Sequence, residues 1–261
     1  MSDGLDHVII FVRDLETGAS DFERAGFTVT PGGQHANGVT HNALITFADG
    51  TYLELIALVD PAAPPTDTWT ARFQRGEGLV GYALRGHDLA RAAEAVRQRG
   101  LAVSAPADNG RVRPDGQQIA WRTFSADEPS LAGALPFVIE DLTPRELRVP
   151  GGAAARHQLQ VSRLAGVTVR VHDLDHAARA YAALLGVEAK PSPPSVAGAD
   201  RACRFSFGGY WVELVAAPSS EGAPAGGELY EIVLAGVNPA GPGQGELRPA
   251  ALTHGARVRV A

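Results

Sequence analysis

The chain has 261 residues, 45% of them hydrophobic, which is enough to bury one large or two ordinary domain cores. A formal net charge of −6 and the lack of a basic run argue against a nucleic-acid-binding protein. Cys203 is the only cysteine, which excludes an internal disulfide framework and favours a reducing compartment. The sequence has no apolar run of membrane-spanning length and no secretory signal pattern. We therefore expect a cytoplasmic, bacterial protein that binds neither nucleic acid nor membrane.

One pattern occurs three times along the chain. In each copy an apolar strand runs into Asp-Leu, and a helix, a glycine and a short strand ending in proline follow. The copies are HVIIFVRDLETGASDFERAGFTVTP, VGYALRGHDLARAAEAVRQRGLAVSAP and GVTVRVHDLDHAARAYAALLGVEAKP. The aspartates predict helix N-caps and the glycines predict helix C-caps: Asp14, Asp88 and Asp173, then Gly26, Gly100 and Gly186.

Further strands follow each helix, so that each unit reads as βαβββ. They are VTHNALITF and TYLELIAL, then QQIAWRTF and ALPFVIED, then RACRFSF and YWVELVAA. A fourth unit starts at Gly227–Gly236, but Pro and Gly follow where its helix should be, and only THGARVRV predicts another strand. The fourth unit is therefore expected to be degenerate. The Pro-, Gly- and Ala-rich stretch Pro144–Gln160 predicts a boundary between a module pair at 1–143 and a second one at 160–261.

The first hairpin carries a carboxylate, Glu54, in the middle of an apolar strand. Asp49-Gly50 predicts a two-residue loop. That loop would pair Phe47 with Tyr52, Ile45 with Glu54 and His41 with Leu58, which places His41, Ala43, Ile45, Phe47, Tyr52 and Ile56 on the face of Glu54. A buried, ionised carboxylate is costly unless it is paired, hydrogen-bonded or bound to a metal, so Glu54 is expected to have a partner.

Paired βαβββ units with His in the first strand and Glu in the last resemble the vicinal oxygen chelate superfamily. That group includes glyoxalase I, extradiol dioxygenases and bleomycin-resistance proteins. LDHVIIFVRDL followed by GTYLELIAL is similar to its glyoxalase-like members, and the resemblance covers nearly the whole chain. It implies an α+β fold in which tandem βαβββ modules pair into two open barrels, each with a metal or ligand in its concavity. It implies no single reaction, because this fold hosts isomerases, dioxygenases, lyases and pure binding proteins.

In this superfamily the metal ligands come from the first and last strands of paired modules. The resemblance therefore implies a divalent metal ion, such as Zn, Mn, Fe or Ni, on His7, Glu54 and Glu140. Aligning the repeats puts Gly81 and Gly166 at the position of His7 in the second and third modules, so a metal site is expected in the N-terminal pair alone. Two alternatives stay open. His7 is a structural histidine bonded to Glu54, or Glu140 is misaligned because of the long insert before its strand.

Other polar residues are candidates for substrate contact in the same concavity. His41 would lie roughly 13 Å along the strand from the buried carboxylate, which is too far for a shared metal. Together with His35 and Asn42 it is predicted to contact substrate at the far end of the pocket. Of the neighbours Trp121 and Arg122, only one faces the pocket. If it is Arg122, the substrate carries a carboxylate or phosphate. For each residue, an ordinary polar position is the alternative.

The third module carries a carboxylate at the position of Glu54. This residue is Glu213, and Thr168 and Arg170 share the first-strand face beside it. We expect an ion pair between Arg170 and Glu213 in place of a metal site. The sequence spacing of His157 and His254 indicates no role for either residue.

Two functions from different classes stay open. One is a metalloenzyme, an isomerase, lyase or hydrolase, whose cation chelates two oxygens of a small oxygen-rich metabolite and stabilises an enolate or oxyanion. Glu54 or Glu140 would then be the general base, with a pKa raised by the apolar surroundings. The other is a metal-free protein that binds or sequesters a drug or metabolite. Extradiol oxygenation is disfavoured, because the family places its iron in the C-terminal pair and Gly166 removes a histidine there. The chain is expected to be a monomer or a homodimer.

Overall fold

The computed structural model describes residues 3–65, 67, 69–217, 226–236 and 245–261. The N-terminal half contains β1 (Gly4–Phe11), α1 (Leu15–Arg24), β2 (Thr30–His35), β3 (Thr40–Thr46), β4 (Tyr52–Leu58), β5 (Gly78–Arg85), α2 (Leu89–Gln98), β6 (Ala107–Val112), β7 (Gln118–Ser125) and β8 (Phe137–Asp141). The C-terminal half contains α3 (Arg145–Arg148), β9 (Val161–Val171), α4 (Leu174–Leu185), β10 (Lys190–Ser192), β11 (Ala202–Phe207), β12 (Tyr210–Ala216), β13 (Glu228–Gly236), β14 (Glu246–Leu247) and β15 (Val258–Val260). Short 3₁₀ helices lie at Thr70–Arg75, Pro129–Leu131 and Gly152–Ala155. The predicted α+β class with tandem βαβββ modules is confirmed.

The repeated Asp-Leu motif starts each long helix as predicted. The side chain of Asp14 accepts a hydrogen bond from the backbone of Thr17, and Asp173 does the same for His176. Asp88 caps α2 in the same way, and Gly186 ends α4 with a φ of 70°. No helix within the described ranges is long and apolar enough to cross a membrane.

The first two modules close into one eight-stranded barrel with the strand order β1-β4-β3-β2-β6-β7-β8-β5. In the middle of the barrel β1 runs parallel to β4 and antiparallel to β5. The barrel closes on the far side through β2 and β6, where only Gln34 with Val112 and His35 with Arg111 are paired. The remaining strands form a seven-stranded sheet in the order β10-β11-β12-β9-β13-β15-β14. The place where the fourth helix was expected to be missing falls in 237–244, outside the described residues.

The β3–β4 hairpin has a different register from the one that Asp49-Gly50 predicts. Phe47 N donates to Thr51 O at 2.8 Å, so the loop has three residues, and Glu54 lies opposite Leu44 instead of Ile45. The Asp49 carboxylate explains the longer loop, because it accepts bonds from both the backbone and the hydroxyl of Thr51. A slip of one residue exchanges the two faces of a strand. The face that points into the barrel therefore carries, besides Glu54, the residues Thr40, Asn42, Leu44, Tyr52 and Ile56. The opposite face, on the outer side of the barrel wall, carries His41, Ala43, Ile45 and Phe47.

The two halves share one continuous hydrophobic core that runs from β1 to β15. Buried hydrogen bonds cross between the halves inside it. Tyr181 Oη on α4 donates to the carbonyl of Ala134 at 2.6 Å and lies 2.7 Å from Tyr82 Oη on β5. His157 bridges Thr28 N and Thr46 O, which gives it a structural role. The division of the chain into domains at 1–143 and 160–261 stays a prediction.

The hydrogen bonds that join Tyr82, Tyr181 and the Ala134 carbonyl give a stability prediction in which one tyrosine variant is the control for the other. Tyr181→Phe removes the middle hydroxyl, so that the Ala134 carbonyl and the Tyr82 hydroxyl both lose a buried partner, and we expect a loss of about 1–3 kcal/mol in unfolding free energy. Tyr82→Phe leaves the bond from Tyr181 to Ala134 intact and should cost about 0.5–1.5 kcal/mol. Urea unfolding of both variants measures the difference. Equal losses would contradict the assignment of Tyr181 as the hydroxyl shared by both hydrogen bonds.

Candidate functional site

The interior of the closed barrel holds a cavity of about 600 Å³. Strand alternation supplies its lining: β1 turns His7 and Ile9 inward, and β4 turns Tyr52, Glu54 and Ile56 inward. Polar residues of the first module line one wall: His7, His35, Asn42 and Glu54. Aromatic residues of the linker and second module line much of the rest: Trp69, Trp121 and Phe137.

Glu54 lies at the centre of the polar wall and is only 6% exposed. Asn42 Nδ2 donates to its Oε1 at 2.5 Å. His7 Nε2 lies 3.5 Å from Oε2, and His35 Nε2 lies 3.5 Å from Oε1. The prediction that this carboxylate has a partner is therefore confirmed, and it has three.

The pKa of Glu54 is shifted in the direction opposite to the one expected from its apolar surroundings. Burial raises this pKa, but His35, His7 and Asn42 outweigh burial and lower the pKa to about 2. The carboxylate is therefore ionised at neutral pH. A side chain with so low a pKa suits the acceptance of hydrogen bonds or the balancing of a positive charge better than general base catalysis, which favours a pKa near the working pH.

The ring of His7 is fixed from several sides. Its Nδ1 lies 2.8 Å from Asp6 Oδ1, it stacks on Tyr52 at 4.5 Å, and the edge of Phe137 meets it at 5.6 Å. Arg148 and Arg145 hold the pKa of Asp6 well below its usual range against the opposing effect of burial, so Asp6 can only accept. Nδ1 therefore carries the proton. Nε2 is then the ring nitrogen that faces Glu54.

An ion-pair network closes the barrel beneath His7. Arg148, from α3, binds Asp6 at 3.0 Å and donates to the hydroxyl of Tyr52 at 2.7 Å. Arg145 binds Asp6 at 2.7 Å and Asp141 at 2.9 Å. Arg85 also lies 3.5 Å from Asp6, so three arginines and two aspartates form the network at the floor of the cavity.

The structure separates the residues predicted to contact substrate. His35, Asn42 and Trp121 line the cavity. His41 lies instead in a groove on the outside of the barrel, because the hairpin register differs by one residue. Arg122 also points away from the cavity and pairs with Asp108 at 2.5 Å. Whether any of them binds a substrate stays a prediction.

Glu140 does not face the cavity, so the predicted set of His7, Glu54 and Glu140 does not come together. Its carboxylate accepts bonds from Asp88 N and Leu89 N at the start of α2, at 2.7 and 3.2 Å. The alternative given above therefore holds: the insert before β8 misaligned Glu140 with Glu54 when the repeats were aligned.

Phe137 is the structural counterpart of Glu54. β4 places Glu54 beside Ile9, and β8 places Phe137 beside Ala83. Ile9 and Ala83 are equivalent, since each precedes its helix-capping aspartate by five residues. An apolar ring therefore stands where the resemblance implies a carboxylate.

The residues present do not fit the metal site that the resemblance implies. Of the four strand positions, His7 and Glu54 offer donors, whereas Gly81 and Phe137 offer none. A Cβ at Gly81 would lie 2.9 Å from the ring of Trp69, so the indole occupies the space of the missing side chain. Within the described residues, no three His, Cys, Asp or Glu side chains form a group that could hold a metal ion. Catalytic zinc sites generally use three protein ligands.

In the third module, protein side chains bind Glu213, the residue at the position of Glu54. Glu213 is fully buried and is bound by Arg204 at 3.2 Å and by Ser195. The expected pair of Arg170 with Glu213 was wrong: Thr168 lies beside Glu213 in the register, and Arg170 pairs with Glu228 on β13. Trp211 packs on Gly166, where the first module has its histidine.

Several important residues of the cavity have no signal in the sequence reading. Asp6 precedes His7 directly, and strict alternation would put the two on opposite faces. The pairing of β1 with β5 is irregular between Leu5 and His7, which lets Asp6 reach the ring. Arg148 and Trp69 come from linker segments without periodicity. Phe137 was discoverable only through the correct alignment of the second module.

Comparisons with known proteins agree with this architecture. The family model described as "Glyoxalase-like domain" matches residues 5–185. A hypothetical protein from Staphylococcus aureus superposes with a TM-score of 0.73 at 13% identity, with 98% of each chain covered. A mutant of 4-hydroxymandelate synthase from Streptomyces coelicolor gives 0.58 at 13% identity, over 90% of this chain and 71% of the other.

A fusion protein of a xylose isomerase-like TIM barrel and a 4-hydroxyphenylpyruvate dioxygenase gives a TM-score of 0.56 at 16% identity, over 91% of this chain and 37% of the other. A comparison with curated proteins gave no match. The resemblance inferred from the sequence is confirmed. At these identities, the solved structures establish the fold and not the reaction.

The pKa of Glu54 predicts a specific acid sensitivity. Because the folded-state pKa, about 2, lies below the ordinary value of 4.5, the ionised carboxylate stabilises the fold above about pH 5. This contribution is lost as the pH falls toward 2. Glu54→Gln should therefore show a smaller drop in unfolding free energy between about pH 5 and pH 2 than the wild type. Denaturant unfolding across this range is the measurement, and the exposed substitution Glu94→Gln is the control. A wild-type slope in Glu54→Gln would contradict the assignment.

The floor network predicts a contrast between two arginines. Arg148→Met leaves the buried Asp6 and the partly buried Asp141 with fewer positive partners and should lower the unfolding free energy by about 3–5 kcal/mol. Arg122→Met breaks an exposed pair and should cost less than about 1 kcal/mol. Thermal and urea unfolding compare the two. Similar losses would show that the floor network is not a main source of stability.

Proposed function

The chain belongs to the glyoxalase-like domain family, and we propose that its N-terminal barrel binds a small organic molecule directly, without a divalent metal ion. The observation that carries this proposal is the apolar character of the second module at the metal-ligand positions. Phe137 and the Trp69 ring over Gly81 stand where donors would be needed. A ligand in the cavity therefore meets two donor-bearing positions and two apolar ones.

The cavity has the features of a small-molecule site. Its volume of about 600 Å³ lies in the range of such sites, which combine apolar and aromatic walls with a few fixed polar groups. Asn42 and His35 fix the carboxylate of Glu54. Asp6 and Tyr52 fix the ring of His7. These polar groups are held in place before any ligand arrives, which lowers the entropic cost of binding.

A metal-dependent enzyme is the competing function, and one observation favours it. Histidines that bind metals usually donate their other ring N–H to a carboxylate, as His7 does to Asp6. The Nε2 of His7 and Oε2 of Glu54 then face each other at 3.5 Å. The next nitrogen donor is His35 Nε2, 3.5 Å from the other carboxylate oxygen, but within the described residues His7, His35 and Glu54 do not form a group that could hold a metal ion.

Elemental analysis distinguishes the two functions. Wild type, His7→Ala and Glu54→Ala, each purified without chelators, should contain equal and far less than stoichiometric amounts of divalent metal. Near-stoichiometric metal in the wild type that disappears in both variants would overturn the proposal and establish the metal-dependent function.

Binding itself is tested with a neutral, environment-sensitive dye, N-phenyl-1-naphthylamine. Its fluorescence should rise saturably with the wild type. Thr123→Trp, which places a large side chain in the cavity, should abolish the rise, whereas the similar-sized Thr123→Val should retain it. Circular dichroism confirms that both variants are folded. No saturable binding to wild type, or equal binding to Thr123→Trp, would contradict a ligand site in the barrel.

A further inference from the structure

We infer that the molecule bound in the barrel carries an organic cation, a quaternary ammonium or protonated amine, which lies over Glu54 between aromatic rings. This inference rests on the proposed function and names its ligand class. It is carried by the charge pattern of the buried carboxylates and by the composition of the cavity wall.

Glu54 is the exception among the buried carboxylates of the described residues. Asp6 is paired with Arg148 and Arg145. Glu213 is paired with Arg204, and Glu231 with Arg259 and Arg257. Glu54 has an amide and two imidazoles as neighbours and has no arginine or lysine within ion-pair distance. A buried carboxylate without a permanent cationic partner is a position that a ligand cation can complete.

The arginines that line the same cavity are already engaged. Arg148 binds Asp6, Asp141 and the Tyr52 hydroxyl. Arg111 donates to the carbonyls of Gly32 and Arg148. Burial lowers the pKa of Arg111, and the charge of Glu54 opposes this shift without an ion pair between the two side chains. These arginines are thus directed at protein oxygens. An anionic ligand would have to compete for them and would also meet Glu54.

Aromatic rings supply the remaining surface. Trp69 and Phe137 meet edge to face at 6.4 Å, and Trp121 meets His35 at 6.0 Å. Outside this cavity, the guanidinium of Arg72 lies 5.0 Å from the ring centre of Trp69, so this indole already takes part in one cation–π contact. Aromatic faces around a carboxylate favour alkylammonium groups, because the rings attract the charge and tolerate the methyl groups.

One further carboxylate lies at the outer part of the cavity. Asp67 lines it, whereas the carboxylate of Asp108 pairs with Arg122, whose side chain points away from the cavity. A cation entering the barrel therefore passes Asp67 before it reaches Glu54. A lining carboxylate of this kind raises the local concentration of cations.

Three isosteric probes test the inference: choline, its neutral carbon analogue 3,3-dimethylbutan-1-ol, and the anion 3,3-dimethylbutanoate. In titration calorimetry, wild type should bind choline at least about tenfold more tightly than the alcohol, which corresponds to one cation–π and charge contribution of ordinary size. The anion should bind most weakly. Glu54→Gln, which keeps the shape and the bond from Asn42, should lose the preference for choline.

Matched variants locate the effect. Phe137→Leu should weaken choline binding more than alcohol binding, because it removes a ring but keeps an apolar wall. Glu94→Gln, an exposed change on α2, should bind all three probes as the wild type does. Retained dye binding by Glu54→Gln shows that the variant still has its cavity.

The inference is overturned if the alcohol or the anion binds as tightly as choline, if Glu54→Gln keeps the preference, or if choline does not bind at millimolar concentration. Its failure is distinguishable from failure of the proposed function. Dye binding together with low metal content would uphold a metal-free ligand site while excluding the cation. Stoichiometric metal on His7 and Glu54 would remove both.

Discussion

The buried contact between Asp6 and Arg148 is the interaction on which the N-terminal site depends. It fixes α3 against the foot of the barrel, and it holds the carboxylate that sets the orientation of His7. A buried ion pair of this kind contributes less to net stability than its distance suggests, because both charges are desolvated. Its main effect here is geometric. One atom of the linker, Arg148 Nη1, touches both Asp6 and Tyr52, and these two residues hold the histidine from its edge and from its face.

The two modules of the barrel have the same backbone plan and different chemical roles. The first supplies His7, His35, Asn42 and Glu54, and the second supplies Phe137 and Trp121. The pairing of β1 with β5 along the middle of the barrel keeps these two surfaces facing each other. A symmetric scaffold therefore encloses an asymmetric cavity. In the third module, Arg204 and Ser195 bind Glu213, and Trp211 packs on Gly166.

The sequence predicted what is local and periodic. The strand and helix pattern, the capping aspartates and the need of Glu54 for a partner are all confirmed. Register was the weak point. Asp49 bonds to Thr51 and lengthens the hairpin by one residue, which moved His41 to the outside and brought Asn42 in. The insert before β8 shifted the alignment from Phe137 to Glu140. Trp69 and Arg148 lie in linkers without a periodic pattern, so their contacts with Gly81 and Asp6 could not be predicted from the local sequence.

The position of Trp69 against Gly81 constrains the mutational paths open to this barrel. A substitution of Gly81 by histidine or glutamate requires the indole to shift, because the added Cβ would lie 2.9 Å from it. The linker around the 3₁₀ helix would have to be rebuilt first, and this linker also packs Phe73 on Phe11 at 4.4 Å. The absence of a donor side chain at Gly81 and the packing of Trp69 from the linker are therefore sterically coupled. A donor at Gly81 therefore requires a change at Trp69 as well.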